Sequence, residues 1–406
     1  MIYLDYQATT PLAPEAFDAM LTWLRPETDG AHANPHSAHR PGRAAKAAVE
    51  VARDEIARLL PPGGRVAFTG GATEALNWAI KGTTGPIVTL ATEHAAVLDT
   101  VAAEQKRGRA VTVLPVDPDG LVDLARARDA IRPGTGLVAA MLVNNEIGVI
   151  QPIAALADLA HEAGALFLCD AVQGYGREPI PPDVDLVAIS AHKVHGPKGI
   201  GALWMRDGAA PAPLLHGGDQ EGGRSGTLSP ALCAGFGTAA RLMREREAED
   251  RAHVERLWRI ATERLAFSPP SASGRGPGGG HPASYEANRP VLSDHPPPGP
   301  LPQAGGGTWS LNGSLTRRYP GNLNIRRDGL DVARLTSDLR DWAFSAGSAC
   351  ASGSGRPSHV LRALGLTDAQ ARSSIRLGWG RYTTGTELTQ ALDHIDGAAR
   401  AQRIAA

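Results

Sequence analysis

The sequence predicts an α/β protein: a large unit built on a mostly parallel central sheet sandwiched by helices, then a smaller α+β unit toward the C-terminal end. Three observations predict this. Between about residues 50 and 205, helical patterns alternate with short β-rich runs, as in chained βαβ units. Those runs are apolar nearly throughout, which is how strands covered on both faces read. Past the large unit the composition breaks abruptly, and patterned sequence resumes only near residue 321.

The strand candidates, in order, are "RVAFTGG", "PIVTLAT", "VTVLPVD", "GLVAAMLVNN", "GALFLCDAV" and "VDLVAISAH". Several end in polar or glycine residues. In open α/β sheets ligands bind outside the carboxyl ends of strands, so the candidate site residues are expected on one rim. Residues 229 to 265 predict a long helix, kinked or broken. Residues 268 to 308 hold ten of the 31 prolines and many glycines, and predict an irregular insertion without a core of its own. "GNLNIRR" then reads as a strand and "DVARLTSDLRDW" as a helix. A last helix lies in "TTGTELTQALDHIDGAARAQRIAA", where Thr384 and Glu387 have capping-box spacing. The predicted division is residues 13–249 for the large unit and 250–406 for the small one, joined by residues 1–12. There is no internal repeat.

A chain of 406 residues can bury an ample core. With 41 basic and 42 acidic residues and a net charge of -1, no global field draws nucleic acid or an anionic membrane. The longest apolar stretches fall short of the roughly 20 residues of a membrane span. "MIYLDYQATTP" lacks the basic start and apolar core of a signal peptide, so the expected compartment is the cytoplasm. Three cysteines, Cys169, Cys233 and Cys350, are too few and too unpatterned for a disulfide framework or a zinc site.

The chemistry starts from "ISAHKVHGPKG", residues 189 to 199, which places Lys193 where a strand should end, in a chain with only five lysines. A lysine amine becomes a covalent catalyst by forming a Schiff base with a carbonyl compound, most commonly pyridoxal 5′-phosphate. That cofactor demands a carboxylate at its ring nitrogen, a flat group over the ring and a cradle for its phosphate. Asp170 ends the strand before that of Lys193, and a right-handed crossover puts both on the same rim. Taken alone, Asp170 is as readily a helix cap and Lys193 a solvated lysine. In "VAFTGGATEALNWAIKG" a strand runs through Gly70 and Gly71 into a helix, leaving free N–H groups and the positive helix end at Ala72 and Thr73. Ser190 and His192 can donate to the same phosphate, and His94 can supply the flat group. Each of these three alone is also an ordinary rim side chain. His192 and His195 lack a nearby third ligand, which argues against a metal.

Cys169, inside a strand, and Cys233, in an apolar helical stretch, read as buried small hydrophobes. Cys350 sits in "FSAGSACASGSGRPSH", a run too small in its side chains to pack as an element, and is expected to be an exposed nucleophile or acceptor, or else an incidental loop thiol. Arg376, in "SSIRLGWGRY", offers a fork suited to a carboxylate, a weak signal in so arginine-rich a chain.

Ten ordered segments, "YLDYQATTP", "NPHSAHRPGR", "GGATEALNWAIKG", "TEHAAVLDT", "VNNEIGVIQPI", "CDAVQGYG", "SAHKVHGPKGIGALW", "HGGDQEGGRSGTLS", "SAGSACASG" and "HVLRALGL…SSIRLGWGRYTT", resemble cysteine desulfurases of the NifS/IscS type. These are pyridoxal phosphate enzymes of the class V aminotransferase group with the fold-type I architecture. The resemblance spans nearly the whole chain except residues 268 to 308. It implies a homodimer that converts L-cysteine to L-alanine and leaves the sulfur as a persulfide on the enzyme. A sulfur-acceptor protein, scaffold or relay, would then feed iron–sulfur cluster assembly or another thio-transfer pathway. It implies Lys193 as the Schiff-base lysine, Asp170 as the ring-nitrogen partner, His94 as the stacking group and Gln173 as the residue facing the phenolic oxygen. Ala72, Thr73, Ser190 and His192 match the phosphate cradle, and Thr227 the residue reaching that phosphate from the other subunit. Asn145 and Arg376 match cofactor and substrate contacts, and Cys350 the persulfide-bearing cysteine. "SAHK" departs in having alanine where relatives often have glycine. The sequence ends at "RAQRIAA", without the longer tail by which some relatives dock an iron–sulfur scaffold, so that particular partner is not carried over. Two alternatives stay open: a selenocysteine lyase or other pyridoxal phosphate lyase or aminotransferase without a persulfide, and a non-catalytic binding subunit of the same fold.

Overall fold

The computed structural model describes residues 1–28, 30–265, 309–347 and 357–402. Cys350 and the Pro/Gly-rich segment 268–308 lie outside the described residues.

Seven strands form the central sheet, in the order Gly64–Thr69, Gly201–Arg206, Leu186–Ser190, Leu166–Asp170, Leu137–Met141, Ile87–Leu90 and Val111–Leu114. The last five of that order run parallel to one another, while Gly201–Arg206 is antiparallel to both its neighbours. The continuous apolar runs have a direct cause. Phe167, Cys169, Val187 and Ile189 point into one buried cluster, with Ile56, Leu156 and Phe236. Leu168, Leu186 and Ala188 point into a second, with Leu76 and Trp78. Side chains alternate with period two, but both faces are covered, so neither set needs to be polar.

A second sheet of four strands runs Ser345–Ala346, Ser374–Gly378, Asn322–Arg326, Ser310–Leu311, each antiparallel to its neighbours. Its core takes Leu323, Ile325, Ile375 and Leu377, packed against Leu257 and Ala261 of one helix and Leu388, Leu392 and Ile395 of another. The long helical stretch is two helices, Pro230–Glu245 and Glu247–Leu265, broken at Arg246. The first starts at a Ser229 cap followed by Pro230, where a missing N–H costs nothing. The last helix, Gly385–Ala401, opens with the capping box that Thr384 and Glu387 predict.

The N-terminal segment stitches the two sheets' surroundings together. Ile2–Tyr3 pairs in parallel with Trp342–Ala343, and Leu4 lies in the core of the smaller sheet. The chain then crosses to the end of the central sheet, where the N–H of Thr10 donates to the His192 carbonyl and that of Ala13 to His195, both at 2.9 Å. No helix among the described residues is long and apolar enough to cross a membrane.

Candidate active site

The strands Leu166–Asp170 and Leu186–Ser190 are parallel neighbours, with Asp170 opposite Ala188, so Asp170 ends two residues short of Ser190 on the same rim. A single turn of tight helix, Ala191–Lys193, follows. Lys193 Nζ donates to the main-chain carbonyls of Gln7 at 2.6 Å and Ala8 at 2.7 Å. Gln173 Nε2 donates to the same Gln7 carbonyl at 2.9 Å. Arg177 braces this group from behind, donating to the Gln173 carbonyl at 3.1 Å and to the Lys193 carbonyl. The second lysine of the motif, Lys198, is exposed.

Asp170 is buried. Burial pushes its carboxyl pKa up, and the Val172 N–H, then the charges of His94 and Lys193, pull it back down. Both side chains therefore lie within electrostatic reach of the carboxylate. Its Oδ1 accepts from the Val172 N–H at 3.0 Å. His94 caps the helix Ala95–Lys106, with Nδ1 accepting from the Ala96 N–H at 3.0 Å, which leaves the proton of a neutral ring on Nε2.

Two of the elements expected to cradle a phosphate, the end of the strand Leu186–Ser190 and the start of the helix Ala72–Lys81, meet at Gly201. Ser190 pairs with Gly201 across antiparallel strands. A Cβ at Gly201 would stand 2.8 Å from Gly71 and 2.5 Å from the Ile189 carbonyl, so this crossing needs glycine. Gly71 itself has φ of 152° with nothing within 4 Å of a Cβ built on it, and it opens the helix Ala72–Lys81. The N–H groups of Ala72 and Thr73 begin that helix without intrahelical acceptors, as the first turn must. His192 accepts or donates at 3.2 Å with Thr9 Oγ1, and burial, aided by Lys193 and Lys198, lowers its pKa to about 4. It is neutral at physiological pH. His195 turns elsewhere, to the Pro11 carbonyl at 2.9 Å, so it does not share a ligand site with His192. Thr227 is exposed, on a loop tied to the same helix by an Arg224–Glu74 ion pair at 2.8 Å.

Arg376 and Asn145 are brought together through the backbone: the guanidinium donates to the Asn145 carbonyl at 3.2 Å. It also pairs with Asp5 at 2.6 Å, and it is 1% exposed with its Nε lacking a partner among the described residues. A protein carboxylate thus occupies part of the fork. Cys169 and Cys233 are fully buried, and burial raises both thiols, that of Cys233 to about 12.

Sequence reasoning assigned no role to Asp5, Gln7, Glu93, Glu146 or Ser358. Asp5 and Gln7 stand in "YLDYQATTP", but backbone carbonyls carry no sequence signature. Glu93 and Glu146 flank His94 and Asn145, and their burial was the missing information. The donor set fits pyridoxal phosphate: a buried carboxylate, an amine on the same rim, and a helix start opened by a glycine.

The class-V aminotransferase family model matches residues 2–272. The chain is 42% identical to the mitochondrial cysteine desulfurase of Saccharomyces cerevisiae over 95% of its own length and 72% of the relative's. It is 38% identical to the cysteine desulfurase IscS of Rickettsia bellii, covering 96% of this chain and 89% of that one. Among solved structures, a NifS-like protein superposes with a TM-score of 0.81 at 28% identity, covering 98% and 99% of the two chains. A structure described as SspA in complex with cysteine matches with a TM-score of 0.72 at 32% identity, covering 95% and 100%. The chain belongs to the class-V aminotransferase family, among the cysteine desulfurases of the NifS/IscS type.

Proposed function

We propose that the protein converts L-cysteine to L-alanine and takes the sulfur onto Cys350 as a persulfide. The observation that carries this reading is the convergence of Lys193, Asp170 and His94 on one rim, in a chain that aligns with cysteine desulfurases over nearly its whole length. Bound here, pyridoxal phosphate supplies an electron sink that weakens the bonds around the substrate α-carbon. Lys193 would hold it covalently, Asp170 would keep its ring nitrogen protonated, Gln173 would face its phenolic oxygen, and His94 would lie against the ring. Ala72, Thr73, Ser190 and His192 would hold the phosphate. Thr227 would reach it from the partner subunit of a homodimer.

Once substrate is seated, the Lys193 amine moves the proton at the α-carbon, and the Gln7 and Ala8 carbonyls give its ammonium a resting place. The Asp170 carboxylate, kept from water, would accept from the ring N–H. Arg376 and Asn145 orient the substrate carboxylate. The Cys350 thiolate attacks the substrate sulfur, the S–S bond forms as the Cβ–S bond breaks, and the electron pair left on Cβ takes a proton. The atoms balance without an outside oxidant: thiol plus cysteine gives persulfide plus alanine. An acceptor protein then removes the sulfur, for iron–sulfur cluster assembly or another thio-transfer pathway. The division at residues 249 and 250 is our reading of the two units, and the cytoplasm our reading of the compartment. Cys350→Ser tests the function: it should keep the cofactor's visible absorbance and lose sulfide release, and full turnover would overturn the assignment.

A further inference from the structure

Glu146 is buried, adjoins Asn145, and belongs to no step above. Its side chain and its backbone reach the two described ends of the segment that carries Cys350. At the C-terminal end, Ser358 donates its hydroxyl to Glu146 Oε2. At the N-terminal end, Gly347 is the last described residue before the segment, and its carbonyl accepts from Asn324 Nδ2 at 3.4 Å. The same Asn324 amide donates to the Glu146 carbonyl at 3.0 Å, while its oxygen accepts from Asn312 Nδ2 at 2.8 Å. The fully buried Asn324 therefore has both amide hydrogens committed, one to Glu146 and one to Gly347. Next to Ser358, His359 Nε2 bonds the Glu93 carbonyl at 2.9 Å, beside His94. The Glu146 N–H in turn donates to Asn144 Oδ1 at 2.9 Å, so the acidic residue is itself held at both backbone and side chain.

We propose that Glu146 is a positioning residue for sulfur transfer: with Ser358 and Asn324 it clamps both ends of the Cys350-bearing segment beside His94 and Arg376. This rests on the reading of Cys350 as the persulfide residue. The clamp acts on the delivery of the thiol and leaves substrate binding alone. Burial also gives the two hydrogen bonds to Glu146 their weight, because an unpaired buried partner is costly to leave behind.

The test uses the pyridoxal phosphate-loaded full chain at pH 8. Ser358→Ala and Glu146→Ala are expected to lower kcat for persulfide formation about tenfold, a barrier higher by about 1.4 kcal/mol, with KM for L-cysteine and the cysteine-induced absorbance change of the cofactor unaltered. Ser358→Thr and Glu146→Gln keep a donor and an acceptor and should restore at least half the rate. The Ser358→Ala/Glu146→Ala double variant should be no slower than either single one, because the two residues act through one bond. Iodoacetamide alkylation of Cys350, followed by peptide mass in the substrate-free holoenzyme, should quicken severalfold in both alanine variants. Wild-type rates of persulfide formation and of alkylation in Ser358→Ala would overturn the clamp. So would a loss in Ser358→Ala that Ser358→Thr shares. Should Glu146→Ala fail to fold, the Ser358 pair decides alone. Sulfide release by Cys350→Ser would instead overturn the underlying reading, a result distinct from normal turnover by Ser358→Ala beside an inactive Cys350→Ser.

Discussion

Lys193 and Gln7 meet at 2.6 Å, amine to backbone carbonyl, although they are 186 residues apart in sequence. The contact brings the N-terminal segment, which starts in the smaller sheet, onto the rim of the central one. It also gives the lysine a fixed place from which to act, since the Ala8 carbonyl holds the same nitrogen.

Removing that amine should leave the scaffold standing, because Gln173 still bonds Gln7. Lys193→Ala is therefore expected to fold and to dimerise. Borohydride reduction followed by peptide mass should find pyridoxyl on Lys193 in the wild type and nowhere in the variant. Turnover should fall by at least about 100-fold, the loss typical of a proton-transfer group. A variant of wild-type rate would contradict the assignment.

Asp5 neutralises a guanidinium that is 1% exposed. Asp5→Asn leaves that charge buried and unpaired, at a cost on the order of 3 kcal/mol in denaturant unfolding. The exposed Arg264–Asp393 pair at 2.5 Å is the control: Asp393→Asn should leave the unfolding midpoint unchanged. Equal effects at the two sites would show that burial does not govern them.

Glu146 gives stability a pH slope. Burial raises its pKa from 4.5 to about 7 against the opposing pull of Ser358, Arg376 and His94. Between those values the folded protein keeps a proton that the unfolded chain has released. This contribution is therefore fully present below about 4.5 and is lost as pH rises through about 7. Its size is on the order of 3 kcal/mol. Glu146→Gln cannot titrate, so stability of the wild type relative to the variant should fall across that window. Parallel curves would contradict the shift.

Gly201→Ala places a Cβ 2.5 Å from the Ile189 carbonyl and 2.8 Å from Gly71. Both are backbone and cannot swing aside. The strand must shift from the glycine turn, at about 1–3 kcal/mol in unfolding. Pyridoxal phosphate content after dialysis should fall with it. Retention equal to the wild type's would show that this crossing does not shape the cradle.

Much of this was legible in the sequence because it is local. Continuous apolar runs announced the covered strands, the Thr384 and Glu387 spacing announced a cap, and the order of Asp170 and Lys193 along parallel strands placed them on one rim. What was illegible is long-range. The antiparallel insertion of Gly201–Arg206 between Gly64–Thr69 and Leu186–Ser190 has no signature in its own residues. Nor does the pairing of Ile2–Tyr3 with Trp342–Ala343. Glu93 and Glu146 look like ordinary rim carboxylates until tertiary packing buries them.

The most direct test maps the sulfur itself. The pyridoxal phosphate-loaded protein, given one equivalent of L-cysteine, is digested without reductant, and its three cysteine peptides are weighed. The account predicts L-alanine in solution and one extra sulfur on the Cys350 peptide, with Cys169 and Cys233 unmodified. Alanine or keto acid formed while Cys350 stays an unmodified thiol would contradict it.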